Sequence, residues 1–125
     1  MDPSELFSRE LTDELHELDS HVRAQRRQSL PELLDAWRRY ASRLAQDEAV
    51  DLDDYVAMLF ARDAIQDVIE RATPTIARVL EALVAHNDSV FLFCSRADNS
   101  NVVGSIADRP GPGWWWARLP RRLTS

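Results

Sequence analysis

The side chains of this chain best suited to bind a metal ion are three histidines and one cysteine: His16, His21, His86 and Cys94. None of them has a spacing typical of metal ligands, such as H-x-x-x-H or C-x-x-C. His16 and His21 lie five residues apart and do not share a helix face well, whereas Glu17, one helical turn before His21, would form a simple surface pair with it. We therefore expect neither a metal site nor a cofactor.

Nucleophilic catalysis needs a serine or cysteine beside a base and an oxyanion hole, often on a glycine-rich turn. The chain has three glycines, all in its last quarter, and contains neither G-x-S-x-G nor a phosphate-binding loop. Cys94 lies in the apolar run SVFLFCS, which indicates an unreactive core thiol. Asp63 and Asp67 lie one helical turn apart, but arginines flank them, which favours surface ion pairs over acid–base chemistry. The sequence predicts a protein that is not an enzyme.

An acidic cluster at residues 47–54 is the strongest candidate for a binding site. It places five acids within eight residues, at a turn and a helix start: Asp47, Glu48, Asp51, Asp53 and Asp54. Capping and solvation of the helix start explain such a cluster without any function. Alternatively, the cluster is a patch that steers a basic partner to this protein and blocks the partner's active surface. The first helix is also acidic, and we expect it to lie nearby and to enlarge the patch.

Length and composition restrict the class of protein. With 125 residues, 45% of them hydrophobic and 29% charged, the chain has the makeup of one globular domain over residues 1–125. A net charge of −6 argues against nucleic-acid binding, which requires a basic face. One cysteine fits a reducing cytosol, and the sequence shows neither a signal peptide nor an apolar run of about 18 residues. We expect a cytoplasmic protein that enters no membrane.

All 15 basic residues are arginines, which a coding bias explains, and the charges are distributed in blocks. Residues 1–22 hold seven acids and one arginine, and residues 23–43 hold six arginines and two acids. Residues 44–95 are again acidic, whereas residues 96–125 carry five arginines and two aspartates. Antiparallel packing of neighbouring helices would pair these blocks; left exposed, they would form a polarised binding surface.

The longest and most apolar helical pattern runs over residues 51–72 and predicts a central helix. Asp51 is a good N-cap, and two further aspartates follow in the first turn, where the helix dipole favours negative charge. The first half is apolar nearly all round, so we expect neighbours to contact it from two sides. In the second half, a polar face is expected to return to water: Arg62, Asp63, Gln66, Asp67, Glu70 and Arg71.

Two helices are predicted before the central one. The first covers residues 2–26, with Asp2 as its N-cap. Its apolar seam consists of Leu6, Phe7, Leu11, Leu15, Leu18 and Val22. We expect this seam to pack inside a bundle; the alternative is a coiled-coil contact with a second copy of the chain. The second helix covers residues 29–46 and begins with a capping box at Ser29.

A fourth helix is predicted to start at Thr73, its N-cap, with Pro74 at the first helical position. Its expected buried face consists of Ile76, Val79, Leu80, Leu83 and Val84. The apolar run at residues 89–95 has the local propensity of a strand, but no second strand is evident to pair with it. We therefore favour a helix that continues through this run and is broken or kinked near Asn87-Asp88.

Residues 98–125 show no regular pattern and are expected to form an extended arm. Residues 108–113 are rich in proline and glycine, and three tryptophans follow at residues 114–116. Three adjacent indoles do not all point to one side, so some should anchor the arm while at least one stays near the surface. The predicted architecture is all-α: an irregular bundle of four principal helices over residues 1–97, with this arm packed on it and Arg118 near the acidic surface.

Several short motifs occur together in the chain: Arg62-Asp63 in the central helix, Thr73-Pro74, Asp88 with Phe91, and Gly113-Trp114-Trp115-Trp116-Ala117-Arg118-Leu119-Pro120-Arg121. This combination resembles a group of small bacterial proteins that end in tryptophans and an Arg-x-Pro element. The resemblance covers roughly residues 37–122 and implies a helical single domain with no catalytic residue. In size, acidity and lack of catalytic motifs the chain also resembles the immunity proteins of bacterial toxin systems.

These observations favour a non-enzymatic protein-binding module, an immunity- or antitoxin-like inhibitor of a more basic protein such as a toxin or nuclease. The expected contact surface is the acidic cluster at residues 47–54. The alternative is a structural or regulatory homo-oligomer, a dimer for example, formed through the seam of the first helix or an exposed tryptophan. The sequence leaves open which protein is the partner and which oligomeric state forms. It also leaves open whether the tryptophans are core residues or interface residues.

Overall fold

The computed structural model describes residues 3–107 and 111–124, with side chains from Arg9 onward. The helices of this part are α1 (Pro3–Gln25), α2 (Leu30–Ala45), α3 (Leu52–Arg71), α4 (Pro74–Phe93) and a short 3-10 helix (Trp114–Ala117). The strands are β1 (Val50–Asp51), β2 (Ser95–Ala97), β3 (Arg118–Pro120) and β4 (Leu123–Thr124). The predicted all-α class, with four principal helices and an extended C-terminal region that carries the tryptophans, is confirmed.

The predicted N-caps of α2 and α3 are confirmed. The hydroxyl of Ser29 accepts a hydrogen bond from the Glu32 amide at 3.2 Å and donates one to its carboxylate at 3.0 Å. The carboxylate of Asp51 accepts from the Asp54 amide at 2.8 Å. Each cap satisfies an amide that has no partner within the helix, which explains why the helices begin at these positions. The proposed N-cap of α1, Asp2, lies outside the described residues, as do the side chains of Leu6 and Phe7.

The start of α4 is capped by another helix. Thr73 occupies the N-cap position, but its side chain makes no capping bond within α4. Instead Glu14 of α1 accepts hydrogen bonds from the Thr73 amide at 2.9 Å and the Thr73 hydroxyl at 2.6 Å. A carboxylate at this position also interacts favourably with the positive end of the helix dipole. The contact therefore joins α1 to α4 and places α1 beside the junction between α3 and α4.

The favoured helix through this run is confirmed as far as Phe93, and α4 is not broken at Asn87 and Asp88. Asp88 does not break the helix because its carboxylate bonds to side chains of other helices and not to its own backbone. Of the ambiguous run, residues 89–93 are helical, Cys94 ends the helix and Ser95 begins a strand.

The strands come from the start of α3, from the end of α4 and from the C-terminal arm. β2 pairs antiparallel with β3, with Arg96 opposite Leu119. β1 pairs parallel with β4, with Val50 opposite Leu123. The partner that the sequence did not reveal for β2 thus lies in the arm, beyond the tryptophans. The arm is fixed at two places along its length by backbone hydrogen bonds.

The helix α3 lies at the centre of the core, as its all-round apolar first half predicts. Tyr55, Met58 and Leu59 are fully buried, and Trp37 of α2 stacks on Phe91 of α4 with 4.6 Å between ring centroids. The Tyr55 hydroxyl donates to the Arg118 carbonyl of the arm at 2.7 Å, and burial raises the pKa of this phenol. α3 is therefore contacted by helices and by the arm.

Two of the predicted apolar faces are only partly buried. In α1, Leu18 and Val22 lie in the core, whereas Leu15 is exposed. The seam of α1 thus packs within the bundle, and it is not a continuous surface for a coiled coil with a second copy. In α4, the predicted burial of Val79 and Leu83 is wrong, since both are more than half exposed. The core-facing side of α4 is rotated away from these two residues: Ile76, Leu80, Val84 and Phe91.

Candidate functional site

Arg62 of α3 is the first polar residue that the structure places against expectation. It was expected to face water, but it is only 4% exposed. Its guanidinium donates two hydrogen bonds to the Asp88 carboxylate of α4, both at 2.9 Å, and a third to the side-chain amide oxygen of Gln66 at 3.1 Å. The Trp37 indole donates to the same Asp88 carboxylate at 2.9 Å. This bidentate, fully bonded arrangement is what allows an ion pair to be held inside a core.

Asp63, the next residue, binds the C-terminal arm. One of its carboxylate oxygens accepts hydrogen bonds from the indoles of Trp115 and Trp116, each at 2.8 Å. Both rings are buried. Gly111 passes so close that an added Cβ would lie 2.7 Å from the other Asp63 oxygen, so a glycine is needed there. The predicted surface ion pair of Asp63 is wrong, whereas that of Asp67 with Arg71 is found, at 3.0 Å.

The three tryptophans take different positions, in agreement with the geometric argument from their adjacency. The Arg62 guanidinium carbon lies 4.4 Å from the centroid of the Trp115 ring, a cation–π distance. Trp116 packs edge-on against Phe60. Trp114 is 37% exposed. It borders an open cleft of about 560 Å³ whose other lining residues include Gln66 and Glu70. Two tryptophans are therefore core residues that anchor the arm, and one is accessible.

Arg118 does not lie at the acidic surface as predicted. Its guanidinium donates to the Leu92 carbonyl at 3.1 Å, the Ser95 carbonyl at 2.7 Å and the Ser95 hydroxyl at 2.9 Å. Arg121 donates to the Phe93 carbonyl at 2.8 Å. The Leu92 and Phe93 carbonyls lie in the last turn of α4, where the helix dipole is negative and the last carbonyls lack partners within the helix, and Ser95 follows in β2. The Arg-x-Pro element thus caps α4.

The polar groups of this network form hydrogen bonds with one another. No buried side-chain nitrogen or oxygen in the described part of the chain lacks a hydrogen-bond partner. Of the residues quoted for the resemblance, Arg62 binds Asp88 and Asp63 binds two of the tryptophans, whereas Thr73 lies apart and binds Glu14 of α1. Their geometry explains how the arm is held. The sequence carries no local signal for this burial, since Arg62 and Asp63 begin a stretch with the pattern of a solvated helix face.

The acidic cluster at residues 47–54 is exposed but partly neutralised. Asp47 pairs with Arg122 at 2.9 Å and Glu48 pairs with Arg43 at 3.2 Å. Asp51 is the N-cap of α3. The carboxylates of Asp53 and Asp54 form no hydrogen bond or ion pair within the described residues. Of the five predicted binding residues, two are thus paired with arginines and one caps α3. The other two have carboxylates that are accessible to a partner.

A second acidic surface lies on α1 and is less compensated. Glu10, Asp13 and Glu17 line an open cleft of about 520 Å³ next to Thr73. Their carboxylates form no hydrogen bond or ion pair within the described part of the chain. The cluster at residues 47–54 lies at the start of α3 and this surface lies at its end. Since α3 has 20 residues, about 30 Å separate the two surfaces, and the expected continuous patch is not formed.

The potential metal ligands do not converge. Within the described residues no group of three or more histidine, cysteine or acidic side chains is arranged to hold a metal ion. His21 does not pair with Glu17 but contacts Asp67 of α3 at 3.3 Å. His86 is exposed and Cys94 is half-buried.

No helix of the described chain is both long and apolar enough to cross a bilayer.

An apolar groove of about 350 Å³ runs between α1, α2 and α4. Its exposed walls are formed by Leu15, Val79 and Leu83, and Leu34 of α2 lines it as well. His16 and Asp19 of α1 line the same groove, so its wall is apolar on the α4 side and polar on part of the α1 side.

Comparison with known proteins finds no match among family models, curated proteins or solved structures. The two resemblances drawn from the sequence therefore stay hypotheses.

Proposed function

We propose that the protein is a non-enzymatic binding module that acts in the cytoplasm on a basic protein partner, in the manner of an immunity protein or antitoxin. The observation that carries this proposal is the acidic surface of α1. Glu10, Asp13 and Glu17 form no hydrogen bond or ion pair within the described residues. They line a cleft that also contains His21 and Arg71, and Arg71 is already paired with Asp67, so the acids are available to a basic side chain of a partner.

The cluster at residues 47–54 is assigned a secondary role. Only Asp53 and Asp54 keep carboxylates that neither cap a helix nor pair with an arginine. A partner large enough to span about 30 Å would reach both acidic surfaces at once. A smaller partner would engage α1 only.

Charge reversal at the two surfaces separates these roles. The variants Glu10→Arg/Glu17→Arg and Asp53→Arg/Asp54→Arg change the net charge equally and leave Asp51 and Glu14 in place as caps. Wild-type protein is used to capture its partner from the native host, and association rates are then measured at several salt concentrations. We expect the α1 variant to slow association by about tenfold or more at low salt and to reduce its salt dependence, with a smaller effect of the second variant.

Association that is equally fast for wild type and both variants, and insensitive to salt, would contradict an electrostatic mode of binding. Melting curves of the two variants serve as the control for folding, since all four side chains are exposed.

A structural or regulatory homo-oligomer is the second candidate function. The α1 seam does not support it, because Leu18 and Val22 are used inside the bundle. The exposed apolar side of α4 does support it.

A further inference from the structure

The cleft that Trp114 borders also contains an accessible carboxylate, that of Glu70. It has a volume of about 560 Å³ and lies between α3 and the C-terminal arm. Glu70 is exposed, and Trp114 is 37% exposed. Trp115 and Trp116 hold the arm on α3, and in the described chain neither Trp114 nor Glu70 contributes a hydrogen bond to that contact. We call this site the Trp114 cleft.

The indole of Trp114 is held in a fixed orientation. Its ring packs edge-to-face against Trp115, with 5.6 Å between centroids, and against Phe91, with 6.2 Å. A fixed aromatic ring binds a ligand without losing further side-chain freedom. A cation binds over the face of an indole, within about 6 Å of the ring centroid. Trp115 already binds the Arg62 guanidinium in this way, at 4.4 Å.

Polar side chains one helical turn apart form a hydrogen-bonded row along α3, and the row ends at Glu70. Arg62 donates to the side-chain oxygen of Gln66 at 3.1 Å, and the Gln66 amide donates to the Glu70 carboxylate in a long bond of 3.5 Å. Asp88 balances the charge of Arg62 at the other end of the row. Glu70 forms no ion pair within the described residues. The row therefore places an unbalanced negative charge in the wall of the Trp114 cleft.

The charge of the Trp114 cleft favours a cationic ligand. Its charged lining residues are Arg62, Asp63 and Glu70. Arg62 is paired with Asp88, whereas the Asp63 carboxylate is bonded to the indoles of the arm, which carry no charge. The two carboxylates disfavour an anion. A purely apolar ligand would cover Glu70 without offering it a hydrogen bond, which costs free energy.

We propose that the Trp114 cleft binds an arginine side chain of the basic protein partner, an inference that rests on the proposed function and names the group that is recognised. A guanidinium is planar, so it stacks on an aromatic ring and donates two parallel hydrogen bonds to a carboxylate. Trp114 supplies the ring and Glu70 supplies the carboxylate. A lysine ammonium has the same charge but is more strongly hydrated and does not stack, so we expect it to bind more weakly.

Nuclear magnetic resonance of the full chain tests the proposal without any partner. The probe is the tripeptide Gly-Arg-Gly with both ends blocked. The readouts are the indole N–H signal of Trp114 and the backbone N–H signals of Gln66 and Glu70. We expect these signals to shift and to saturate with a dissociation constant in the millimolar range, because the contacts are one cation–π contact and one exposed ion pair. Gly-citrulline-Gly, which has a similar shape but no charge, should cause no saturable shift.

Two variants remove the two contacts separately. Glu70→Gln and Trp114→Leu should each raise the dissociation constant of the arginine peptide by about threefold or more. Glu81→Gln is the matched control, because it removes one exposed acid on α4, outside the cleft, and should leave the dissociation constant unchanged. Glu70 is exposed, so its substitution keeps the fold intact, and melting curves verify the fold of Trp114→Leu.

Three results would overturn the proposal: signals that do not respond to the arginine peptide, equal responses to the arginine and citrulline peptides, or Glu70→Gln binding as tightly as wild type. With the captured partner, Glu70→Gln and Trp114→Leu should each weaken binding by about threefold or more, and unchanged affinity in both would also overturn it. The peptide titration does not involve the α1 surface. Partner association that is insensitive to salt, together with peptide binding at Trp114, would therefore contradict the role of α1 and support that of the cleft.

Discussion

At the scale of single residues, Asp63 is the most consequential polar side chain of this protein. It satisfies the indole N–H groups of two buried tryptophans that follow one another in the chain. Removing one acceptor therefore leaves two buried donors without partners, and each unsatisfied donor destabilises the folded state by roughly 1–3 kcal/mol. Asp63 thus fixes the C-terminal arm on α3 through these two hydrogen bonds.

We predict that Asp63→Ala lowers the free energy of unfolding by about 2–4 kcal/mol. Asp63→Asn should have a smaller effect, because an amide oxygen still accepts hydrogen bonds. Asp67→Ala, one turn further along α3, is the control and should change stability by less than about 1 kcal/mol, since its contacts to Arg71 and His21 are largely exposed. Urea unfolding of the three variants measures the difference. Equal losses for Asp63→Ala and Asp67→Ala would disprove the central role of the Asp63–indole bonds.

At the scale of the elements, helix ends are tied to neighbouring helices by side chains. Glu14 of α1 caps α4, and Asp19 of α1 accepts the backbone amide of Leu30 at the start of α2 at 2.7 Å. Asp19 also pairs with Arg23 at 2.9 Å. The packing angle of α1 is thus set by carboxylates as well as by Leu18 and Val22, which makes the α1 contacts sensitive to acid.

The hydrogen bond from Leu30, together with the Arg23 guanidinium, lowers the pKa of Asp19 below its ordinary value. A carboxyl with a depressed folded-state pKa stabilises the fold above its unfolded-state pKa of about 3.9, and this contribution is lost as the pH falls through the folded-state pKa. We predict that Asp19→Asn reduces stability at pH 7 and flattens the loss of stability below about pH 4.

Denaturant unfolding of wild type and Asp19→Asn at neutral and acidic pH measures this dependence. Asp13→Asn on the exposed side of α1 is the matched control, since the Asp13 carboxylate has no bonded partner in the described chain. If Asp19→Asn and wild type lose stability in parallel on acidification, Asp19 does not carry the acid sensitivity of this helix junction.

At the scale of the whole molecule, the C-terminal arm is part of the core. It supplies Trp115, Trp116 and Leu119 as buried residues, accepts the Tyr55 hydroxyl and caps α4 through Arg118. It also provides both strands that pair with β1 and β2. Without the arm, the Tyr55 hydroxyl, the last carbonyls of α4 and the edges of β1 and β2 would be exposed to water.

Deleting residues 110–125 should therefore lower the melting temperature by many degrees, because a domain has only about 5–15 kcal/mol of stability in total. The point variant Trp116→Ala should remove about 3–5 kcal/mol. Trp114→Ala, at the partly exposed neighbour, is the matched control and should remove less. Thermal melts without any partner measure all three. An unchanged melting temperature on truncation would mean that the arm contributes little to the fold.

The four long helices could be predicted from the sequence, because helix signals are local. Caps such as Ser29 and Asp51, and Pro74 at the start of α4, act within one turn, and apolar periodicity marks the long segments. The adjacency of three tryptophans also predicted their unequal burial, since neighbouring side chains diverge.

Which polar groups are buried and which apolar groups are exposed depends on long-range packing, which the local sequence pattern does not contain. Arg62 and Asp63 have the pattern of a solvated helix face, yet the arm and Asp88, distant in sequence, bury them. Val79 and Leu83 have the pattern of a core face, yet the rotation of α4 toward Trp37 and Tyr55 leaves them exposed. The pairing of β2 with β3 likewise requires the chain to come back to the end of α4 about 20 residues later. Each outcome rests on long-range contacts, whose geometry depends on packing the whole chain and not on neighbours in sequence.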